Sequence, residues 1–407
     1  MKSDRPLVLS VNGGSSSIKF SLYNRDDYLV PIVEGQLQKI GHPKASLSVK
    51  GVEAAHNFVK TVGVGDYAAA IELLIEWIAS QLDSTLAQVE LGHLVAIGHR
   101  IVHGGISYWK PTEVTPSFIK ELRKLTPLDA EHVPEEIMLL EAFITRFPEL
   151  KHIACFDTAF HHSMPRVAQL LPIPRRYAIK GIRRYGFHGL SCTYLIQELA
   201  RLEGEDVAQG KVVLAHLGSG ASVTAVAGGK SMDTSMGLTP CSGLPMGTRA
   251  GDLDPGLAWY MTQAERMNSA RFHTMINYES GMLGISEISA DMGVLLEHEV
   301  NDSRAADAVA FFCYQTKKWI CSMAATLGGI DTLVFSGGIG ENSPEVRARI
   351  CSGLAFIGIE LDAAQNQHNS GVISSVKSRV TVRVMDTDEE RVIAQNLKQF
   401  LKIHDGN

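Results

Sequence analysis

The chain has 407 residues, 45% of them hydrophobic and 20% charged, and a net charge of −6. This length predicts two domains that each bury a core, and the composition is typical of a globular protein. The negative balance without a basic cluster argues against nucleic acid as a partner. The lack of any apolar run of about 18 residues argues against a membrane partner, and six scattered cysteines fit reduced thiols in the cytoplasm.

The first predicted element is a β-hairpin over residues 7–23. An apolar run enters a turn at Asn12, Gly13 and Gly14, and after three serines polar and apolar residues alternate, which indicates strands rather than a helix. Glycine backbone, serine hydroxyls and Lys19 together suit a phosphate group. The spacing does not fit a Walker loop, since Ile18 stands where the last glycine is required. It does not fit a Rossmann loop either, since no G-x-G-x-x-G occurs. A hairpin that merely turns is the alternative.

Residues 98–105 are predicted to form a strand, with His99 and His103 on one face and Arg100 and Val102 on the other. A guanidinium beside a small apolar side chain can hold a carboxylate that has a short alkyl tail. The alternative is a surface arginine on a half-buried strand. Zinc binding by the two histidines is disfavoured because no third ligand is evident.

Three further polar residues have more than one interpretation each. Asp157 follows an apolar segment, where it can bind Mg²⁺, anchor an arginine or form an Asx-turn. His188, in the run IRRYGFHG, can donate a hydrogen bond to developing negative charge or be structural. Arg249 lies between glycines in MGTRAGD, where backbone and substrate can approach closely, or it is a plain loop arginine.

The hairpin pattern returns at residues 212–226, with a Gly/Ser turn at 218–220, which predicts a duplicated domain. A third glycine loop over residues 336–342 follows a short buried strand. Ser343 and Pro344 then read as the N-cap and first residue of a helix whose N-terminus can meet a phosphate or a ribose.

Apolar stripes predict helices at residues 71–82, 309–323 and 393–401. Gly328 and Gly329 end the second of these, and Thr387 with Glu390 matches a capping box for the third. We expect one domain of residues 1–158 plus 388–407, and a second domain of residues 159–387. Since no G-x-S-x-G or H-E-x-x-H motif occurs, three phosphate-type loops with arginines favour direct phosphoryl transfer.

The chain resembles the acetate kinases of the acetokinase family, which also includes propionate and butyrate kinases. The resemblance covers nearly the whole chain. It depends on the motifs VNGGSSSIKF, GHRIVHGG, CFDTAFHHSMP, IRRYGFHG, HLGSGAS, DTSMGLTP, MGTRAGD, SGMLGIS, SGGIGENS and TDEE in this order. It implies a duplicated two-domain α/β fold of the actin, hexokinase and Hsp70 type, which is ribonuclease H-like.

The resemblance also implies the activity and its partners. Members convert acetate and ATP reversibly into acetyl phosphate and ADP, require Mg²⁺ (with Mn²⁺ as a possible substitute) and form homodimers. The second domain is implied to bind the nucleotide and to dimerise.

The residues with implied roles fall into four groups. The implied catalytic residues are Arg100, Asp157, His188 and Arg249, and the acetate site comprises Arg100, Val102, Phe187 and Pro240. The implied phosphate and nucleotide ligands are Asn12, Ser15, Ser17, Lys19, His216, Gly218, Ser219, Gly220, Asp291, Gly338, Ile339, Gly340, Glu341 and Asn342. The implied metal ligands are Asn12 and Glu389.

The chain departs from the family pattern at several positions. Ser219 replaces an asparagine, Gly293 replaces an arginine near the adenosine, and His132 aligns only next to inserted residues. Propionate kinases that resemble this family tend to have alanine where Val102 stands, so acetate is expected to be preferred over propionate by about 1–3 kcal/mol. Three rival interpretations remain: a kinase for another short carboxylate, a kinase that uses pyrophosphate as its phosphoryl donor, and a non-catalytic nucleotide sensor.

Overall fold

The structure is a computed structural model that describes residues 6–14, 16–25, 27, 30–51, 57–82 and 93–405. These residues form two compact units: one comprises the residues up to Ala159 together with those from Asp388, and the other is Phe160–Thr387. None of the helices described is both long and apolar enough to span a lipid bilayer.

The described part of the first unit contains an eight-stranded sheet in the order β5-β4-β3-β2-β1-β6-β8-β7. Strands β1 to β5 pair antiparallel in sequence, whereas β1, β6 and β8 run parallel. The strands are β1 (Pro6–Gly14), β2 (Ser17–Asn24), β3 (Val33–Gln38), β4 (Ser46–Gly51), β5 (Phe58–Thr61), β6 (His93–Ile101), β7 (Thr112–Glu113) and β8 (Lys151–Phe156).

The second unit contains, in its described residues, a five-stranded sheet in the order β11-β10-β9-β12-β13. Antiparallel pairs join β9, β10 and β11, and parallel pairs join β9, β12 and β13. The strands are β9 (Val212–Leu217), β10 (Ala221–Ala227), β11 (Lys230–Thr234), β12 (Thr332–Ser336) and β13 (Thr381–Val384).

The two sheets share one pattern, in which a central strand has an antiparallel hairpin on one side and parallel strands on the other. The order β3-β2-β1-β6-β8 in the first unit therefore corresponds to β11-β10-β9-β12-β13 in the second. Both predicted Gly/Ser hairpins are present. The predicted duplicated α/β fold class is confirmed, although the first strand continues through Asn12 to Gly14 instead of turning there.

Helices cover these sheets. The first unit has α1 (Tyr67–Leu82), α2 (Pro116–Arg123), α3 (Val133–Arg146) and α16 (Glu389–Asp405). The second unit has α4 (Arg166–Gln169), α5 (Arg175–Ile179), α6 (Gly189–Glu203), α7 (Glu205–Ala208), α8 (Gly256–Ala264), α9 (Ser269–Tyr278), α10 (Gly281–Ser286), α11 (Met292–His298), α12 (Ser303–Leu327), α13 (Gly337–Asn342), α14 (Pro344–Cys351) and α15 (Ala363–Gln367).

The apolar stripes are buried as predicted, apart from Leu82, whose side chain is outside the described part of the structure. In α12 the exception is Trp319, which is only half-buried, and α12 ends at Gly328 in a left-handed conformation with a φ of 65°. The predicted capping box of α16 is wrong. Asp388 caps the helix by accepting a hydrogen bond from the Arg391 amide, whereas Thr387 donates its hydroxyl to Ser191 in the second unit.

Helix α16 packs closely on the first sheet. A methyl group added at Gly98 of β6 would lie 2.4 Å from a methyl of Ile393, so this glycine is needed for the close approach of helix and strand. Ile393 and Leu397 are fully buried there. The last residues of the chain therefore complete the core of the first unit.

The predicted glycine loop at residues 336–342 is in fact the short helix α13, which follows β12 directly. Gly337 makes the sharp change of direction with a φ of 74°, and a Cβ there would lie 2.7 Å from the Leu217 carbonyl oxygen. The sequence suggested a loop because glycines disfavour helices, but tertiary contacts hold the turn.

The main such contact is Arg347 of α14, whose side chain is fully buried. Its guanidinium donates to the carbonyl oxygens of Gly340, Glu341 and Asn366 and to the side-chain oxygens of Asn366 and Asn369. Five hydrogen bonds from one buried cation tie α13, α14 and α15 together.

We predict that Arg347→Met destabilises the second unit by about 3 kcal/mol or more, because several buried carbonyl groups lose their donors. Urea unfolding followed by circular dichroism, with hydrogen exchange of residues 337–342, measures this loss.

Arg349→Met is the matched control on the same helix. Arg349 is a third exposed and forms ion pairs with Glu299 and Glu345, so its loss should change stability by about 1 kcal/mol or less. Equal effects of the two substitutions would contradict the anchoring role of Arg347.

Candidate functional site

In the first unit, Arg100 and Asp157 lie together at the carboxyl ends of the parallel strands β6 and β8. The Arg100 guanidinium donates to the Asp157 carboxylate at 2.8 Å and to the Gly13 carbonyl oxygen at 3.1 Å. The Asp157 side chain is fully buried, and that of Arg100 is 13% exposed. Of the interpretations of Asp157, the structure therefore favours the arginine anchor, which aligns one guanidinium at the sheet edge.

This arginine is surrounded by acids. Burial lowers the pKa of Arg100, but Asp157, Glu389 and Glu136 outweigh it and raise the pKa above the ordinary value. The guanidinium is therefore permanently charged, and it can bind an anion wherever its donors are free.

Asn12 of β1 connects the first hairpin to α16. Its side-chain amide donates to the carboxylates of both Glu389 and Glu390 at 2.9 Å. Burial, together with Asp157 and Glu390, raises the pKa of Glu389 to about 7. The sequence pointed to Glu389 alone, and the structure adds Glu390 to the same cluster.

The remaining residues of the first predicted phosphate loop lie on β2. Ser17 and Lys19 pair with Gly14 and Asn12 across the hairpin, and Lys19 is exposed. Ser15 lies outside the described residues.

Strand β6 ends at Ile101, so only the first half of the strand predicted over residues 98–105 is present, and Val102 follows its end. Its side chain is buried, and its backbone amide donates to the Glu136 carboxylate at 2.9 Å. His99, on the other face of β6, is hydrogen-bonded to His152 at 3.0 Å. His132 is hydrogen-bonded to Asp129.

In the second unit, His188 stands just before α6 with a φ of 58°. A left-handed conformation at a residue other than glycine is strained and often marks a functional site. Its Nδ1 is hydrogen-bonded to the Ser222 hydroxyl at 2.9 Å, and its ring stacks on that of His216 with centroids 4.2 Å apart. His188 is thus fixed in orientation by β9 and β10.

The other nitrogen of His188 points toward Gly220. A Cβ at Gly220 would lie 3.2 Å from His188 Nε2 and 3.4 Å from Arg249 Nη2. Arg249 in turn donates to the Pro240 carbonyl oxygen at 2.8 Å. His188 and Arg249 therefore converge on the glycine turn between β9 and β10, and the missing side chain leaves room there for a ligand.

Two predicted phosphate loops also meet in this unit. A Cβ at Gly218 would lie 3.8 Å from the Gly338 amide nitrogen, whereas one at Gly338 would meet nothing within 4 Å. His216 lies beside the same turn, with its Nδ1 hydrogen-bonded to Ser191. Backbone amides of this kind can bind a phosphate chain.

Two side chains of α13 stabilise the segment that was predicted to be a glycine loop. The Glu341 carboxylate accepts from the Gly337 amide at 2.8 Å, and the Asn342 amide donates to the Gly338 carbonyl oxygen at 3.0 Å. Burial and the nearby Asp386 raise the pKa of Glu341. Asp291 caps α11 by accepting from the Val294 amide.

The residues predicted to form the apolar pocket belong to different units. Phe187 and Pro240 are buried in the second unit, where the Phe187 carbonyl oxygen is hydrogen-bonded to His161, and Val102 belongs to the first.

Sequence reasoning missed several polar partners, namely Glu136, Ser191, Ser222 and Glu390. The signal for Glu390 was its position beside Glu389. Ser222 ends the motif HLGSGAS and Ser191 follows shortly after IRRYGFHG, but neither motif shows which group the serine contacts. Glu136 lies on a helix with no motif around it, so only the fold reveals these partners.

Comparison with known proteins identifies relatives along the whole chain. Residues 7–395 match the acetokinase family. The acetate kinase of Rhodopseudomonas palustris (strain TIE-1) is 40% identical over 399 residues, which cover 96% of this chain and 97% of the relative.

Two solved structures are also similar. A propionate kinase from Francisella tularensis subsp. tularensis SCHU S4 has a TM-score of 0.86 and 35% identity, with 96% of this chain and 98% of that chain covered. The Porphyromonas gingivalis acetate kinase has a TM-score of 0.84 and 34% identity, with 97% and 100% covered.

We predict that Ser222→Ala frees the His188 ring, because Nδ1 loses its hydrogen-bond partner. Imidazole ¹⁵N NMR should show one dominant tautomer in the natural protein and a tautomer mixture in the variant. Thr224→Val is the control on the same strand, since the Thr224 hydroxyl is bonded to Thr234. Unchanged His188 signals in Ser222→Ala would contradict the positioning of this ring by Ser222.

Proposed function

The chain belongs to the acetokinase family, and on this basis we propose that it transfers the γ-phosphoryl group of ATP to acetate. The products are acetyl phosphate and ADP, and the reaction is reversible. The enzyme is a phosphotransferase with a carboxyl group as acceptor. The observation that carries the proposal is the buried Arg100–Asp157 pair next to Val102, because it suits a small carboxylate with a methyl group.

In the proposed mechanism, Arg100 binds the acetate carboxylate and the Val102 side chain faces its methyl group. Asp157 holds the guanidinium so that its orientation is set before the substrate arrives. One acetate oxygen then attacks the γ-phosphorus in line with the departing ADP oxygen, without a covalent enzyme intermediate.

We propose that His188 and Arg249 stabilise the charge on the transferred phosphoryl group. The Ser222 hydroxyl on Nδ1 favours a proton on Nε2 when that hydroxyl donates, so His188 can donate toward Gly220. Fixed donors of this kind need no reorganisation during the reaction, which is the source of their catalytic effect.

The oxygen atoms of Asn12 and Glu389 suit Mg²⁺, which prefers carboxylate and carbonyl oxygens and usually takes its other ligands from phosphates and water. No cluster of three acidic, histidine or cysteine ligands exists among the described residues, so these two residues would bind the ion only together with the nucleotide. When bound, Mg²⁺ neutralises charge on the phosphates. Mn²⁺ has similar ligand preferences.

The nucleotide is proposed to bind along the glycine turns at residues 218–220 and 337–342 in the second unit. The open space at Gly338 supports this placement. Ser219 and Gly293 lack the longer side chains of the family pattern, and Asp291 is occupied in capping α11. We therefore expect fewer side-chain contacts to the nucleotide than the family pattern provides.

The test is a hydroxamate assay for acetyl phosphate with acetate, ATP and Mg²⁺, in which product should form and should require all three. We predict that Arg100→Ala and Arg249→Ala each lower kcat by about 10²–10³, the typical loss when a preorganised donor to developing charge is removed. Arg271→Ala is the control, because Arg271 is exposed and forms an ion pair with Glu279.

Other outcomes would replace this proposal with a rival. Turnover of propionate or another acid above that of acetate would change the acceptor, and turnover with pyrophosphate but not ATP would change the donor. Nucleotide binding without product for any acid would indicate a sensor. Normal kcat in either arginine variant would contradict the mechanism.

We further propose that the chain is a cytoplasmic homodimer that associates through α8, α9 and α12. None of the side chains of α8 and α9 is fully buried. Trp259 of α8 is 70% exposed, and Tyr314 of α12 is 60% exposed. Exposed aromatic side chains of this kind are typical of interfaces between subunits.

We predict that sedimentation gives a mass twice that of one chain. Trp259→Glu should shift the protein toward the monomer, because the substitution would bury a charge in the interface. Analytical ultracentrifugation at micromolar concentration measures this shift. Val59→Glu, at an exposed position of the first unit, is the control. A natural protein that sediments as a monomer would contradict the proposed interface.

A further inference from the structure

Glu136, a residue to which the sequence motifs assigned no role, lies against both parts of the proposed acetate site. It is in the first turn of α3 and only 3% exposed. One carboxyl oxygen, Oε1, accepts from the Val102 amide at 2.9 Å and lies 3.9 Å from Arg100 Nη1. This oxygen therefore accepts a hydrogen bond from the backbone of the pocket residue, and it lies beside the guanidinium of the binding residue, beyond hydrogen-bonding distance.

The other carboxyl oxygen of Glu136 contributes little to this arrangement. Oε2 is buried and has no hydrogen-bond partner among the described residues, and the same holds for the nearby Tyr67 hydroxyl. A buried carboxyl group that is only half hydrogen-bonded costs stability compared with an apolar side chain. This cost is understandable if Oε1 has a task that an apolar side chain cannot perform.

Val102 lies outside any helix or strand. Strand β6 ends at Ile101, so beyond that residue no sheet pairing fixes the backbone. The Glu136 carboxylate supplies the missing acceptor for the Val102 amide, and it does so from a helix packed on the sheet. Arg100 and Val102, two residues apart, are thereby fixed relative to each other.

We propose that Glu136 is a positioning residue that holds the Val102 backbone beside the Arg100 guanidinium, so that the two residues present one surface to the acyl substrate. It sets both the affinity for the carboxylate and the discrimination between short acyl chains. This inference depends on the proposed function, because it assumes that Arg100 and Val102 bind the acid.

The interaction with the Val102 amide needs a hydrogen-bond acceptor and no negative charge. Burial raises the pKa of Glu136 well above its ordinary value; Arg100 opposes this, and Asp129 and Asp157 add to it. These groups, together with Tyr67 of α1, are the titratable and charged neighbours of Glu136. Since Asp157 already pairs with Arg100, a neutral Glu136 avoids a second buried negative charge beside the substrate carboxylate.

The experiment compares Glu136→Met, which removes the acceptor at similar volume, with Glu136→Gln, which keeps an acceptor and cannot ionise. In Glu136→Met we expect the KM for acetate to rise at least tenfold, with kcat within about threefold. The propionate-to-acetate ratio of kcat/KM should also change at least threefold. Glu136→Gln should remain within threefold of the natural protein in all three quantities.

Glu135→Gln is the matched control. Glu135 is the neighbouring residue of α3, half-buried and without a hydrogen bond to Val102, and its substitution should leave the KM and the ratio unchanged. Thermal stabilisation by acetate provides a readout of binding that does not depend on turnover.

If Glu136→Met lowers only the amount of folded protein and keeps the KM and the ratio, Glu136 is merely structural and the inference fails. If Glu136→Gln is as defective as Glu136→Met, the charge is needed and the inference also fails. If the natural protein forms no acetyl phosphate, the proposed function fails first, which is a distinct result.

A pH series with the natural protein and Glu136→Gln tests the inference even if Glu136→Met does not fold. Because its pKa is raised, Glu136 keeps its proton to a higher pH in the folded state than in the unfolded state. The folding free energy that depends on protonated Glu136 is therefore present at low pH and is lost as the pH rises. We expect the KM for acetate of the natural protein to rise relative to Glu136→Gln as the pH rises through the raised pKa of Glu136, because the carboxyl group ionises and the amide does not. Parallel profiles up to the pH at which the protein unfolds would overturn the inference.

Discussion

The arrangement of the first unit depends on one buried ion pair between Arg100 and Asp157. Both residues stand at the carboxyl ends of neighbouring parallel strands, where buried charges must be paired because water cannot solvate them. The pair is also unbalanced, since Glu389 and Glu136 approach the same guanidinium. Burial raises the pKa values of these two acids, and Asp157 adds to the rise, although Arg100 opposes it. A site with more acids than bases stabilises a bound cation, and it leaves the arginine in a fixed position for an organic anion.

The second unit uses the same sheet topology for different chemistry. At its hairpin turn, His188 and Arg249 converge on Gly220. The strained backbone of His188 is held by Ser222 on β10 and by stacking on His216 of β9. Duplication thus supplied two similar frameworks, and the residues at the hairpin turns differ between them. In the first, an amide and two carboxylates meet; in the second, open backbone faces a histidine and an arginine.

Much of this organisation could be predicted from the sequence because local patterns determine it. Alternating apolar residues around Gly/Ser turns indicated both hairpins, and apolar periodicity indicated α1, α12 and α16. The errors occurred where distant contacts override local preference. Two hydrogen bonds from Arg347, to the carbonyl oxygens of Gly340 and Glu341, hold glycine-rich residues 337–342 as a helix, and Thr387 bonds to Ser191 instead of capping α16. The partnership of Glu136 with Val102 could not be predicted for the same reason, since it joins a helix to a backbone amide 34 residues away in the chain.

The close contact of Ile393 with Gly98 has a consequence for biosynthesis. Helix α16 is synthesised after the whole second unit, yet it covers a sheet whose strands precede that unit in the chain. The second unit is one uninterrupted stretch, Phe160–Thr387, so all its residues are made before α16. Domains tend to fold in the order in which they are made, but here the later unit is the first to have all its residues. Until α16 is made, the side of the first sheet at Gly98 lacks the helix that packs against it.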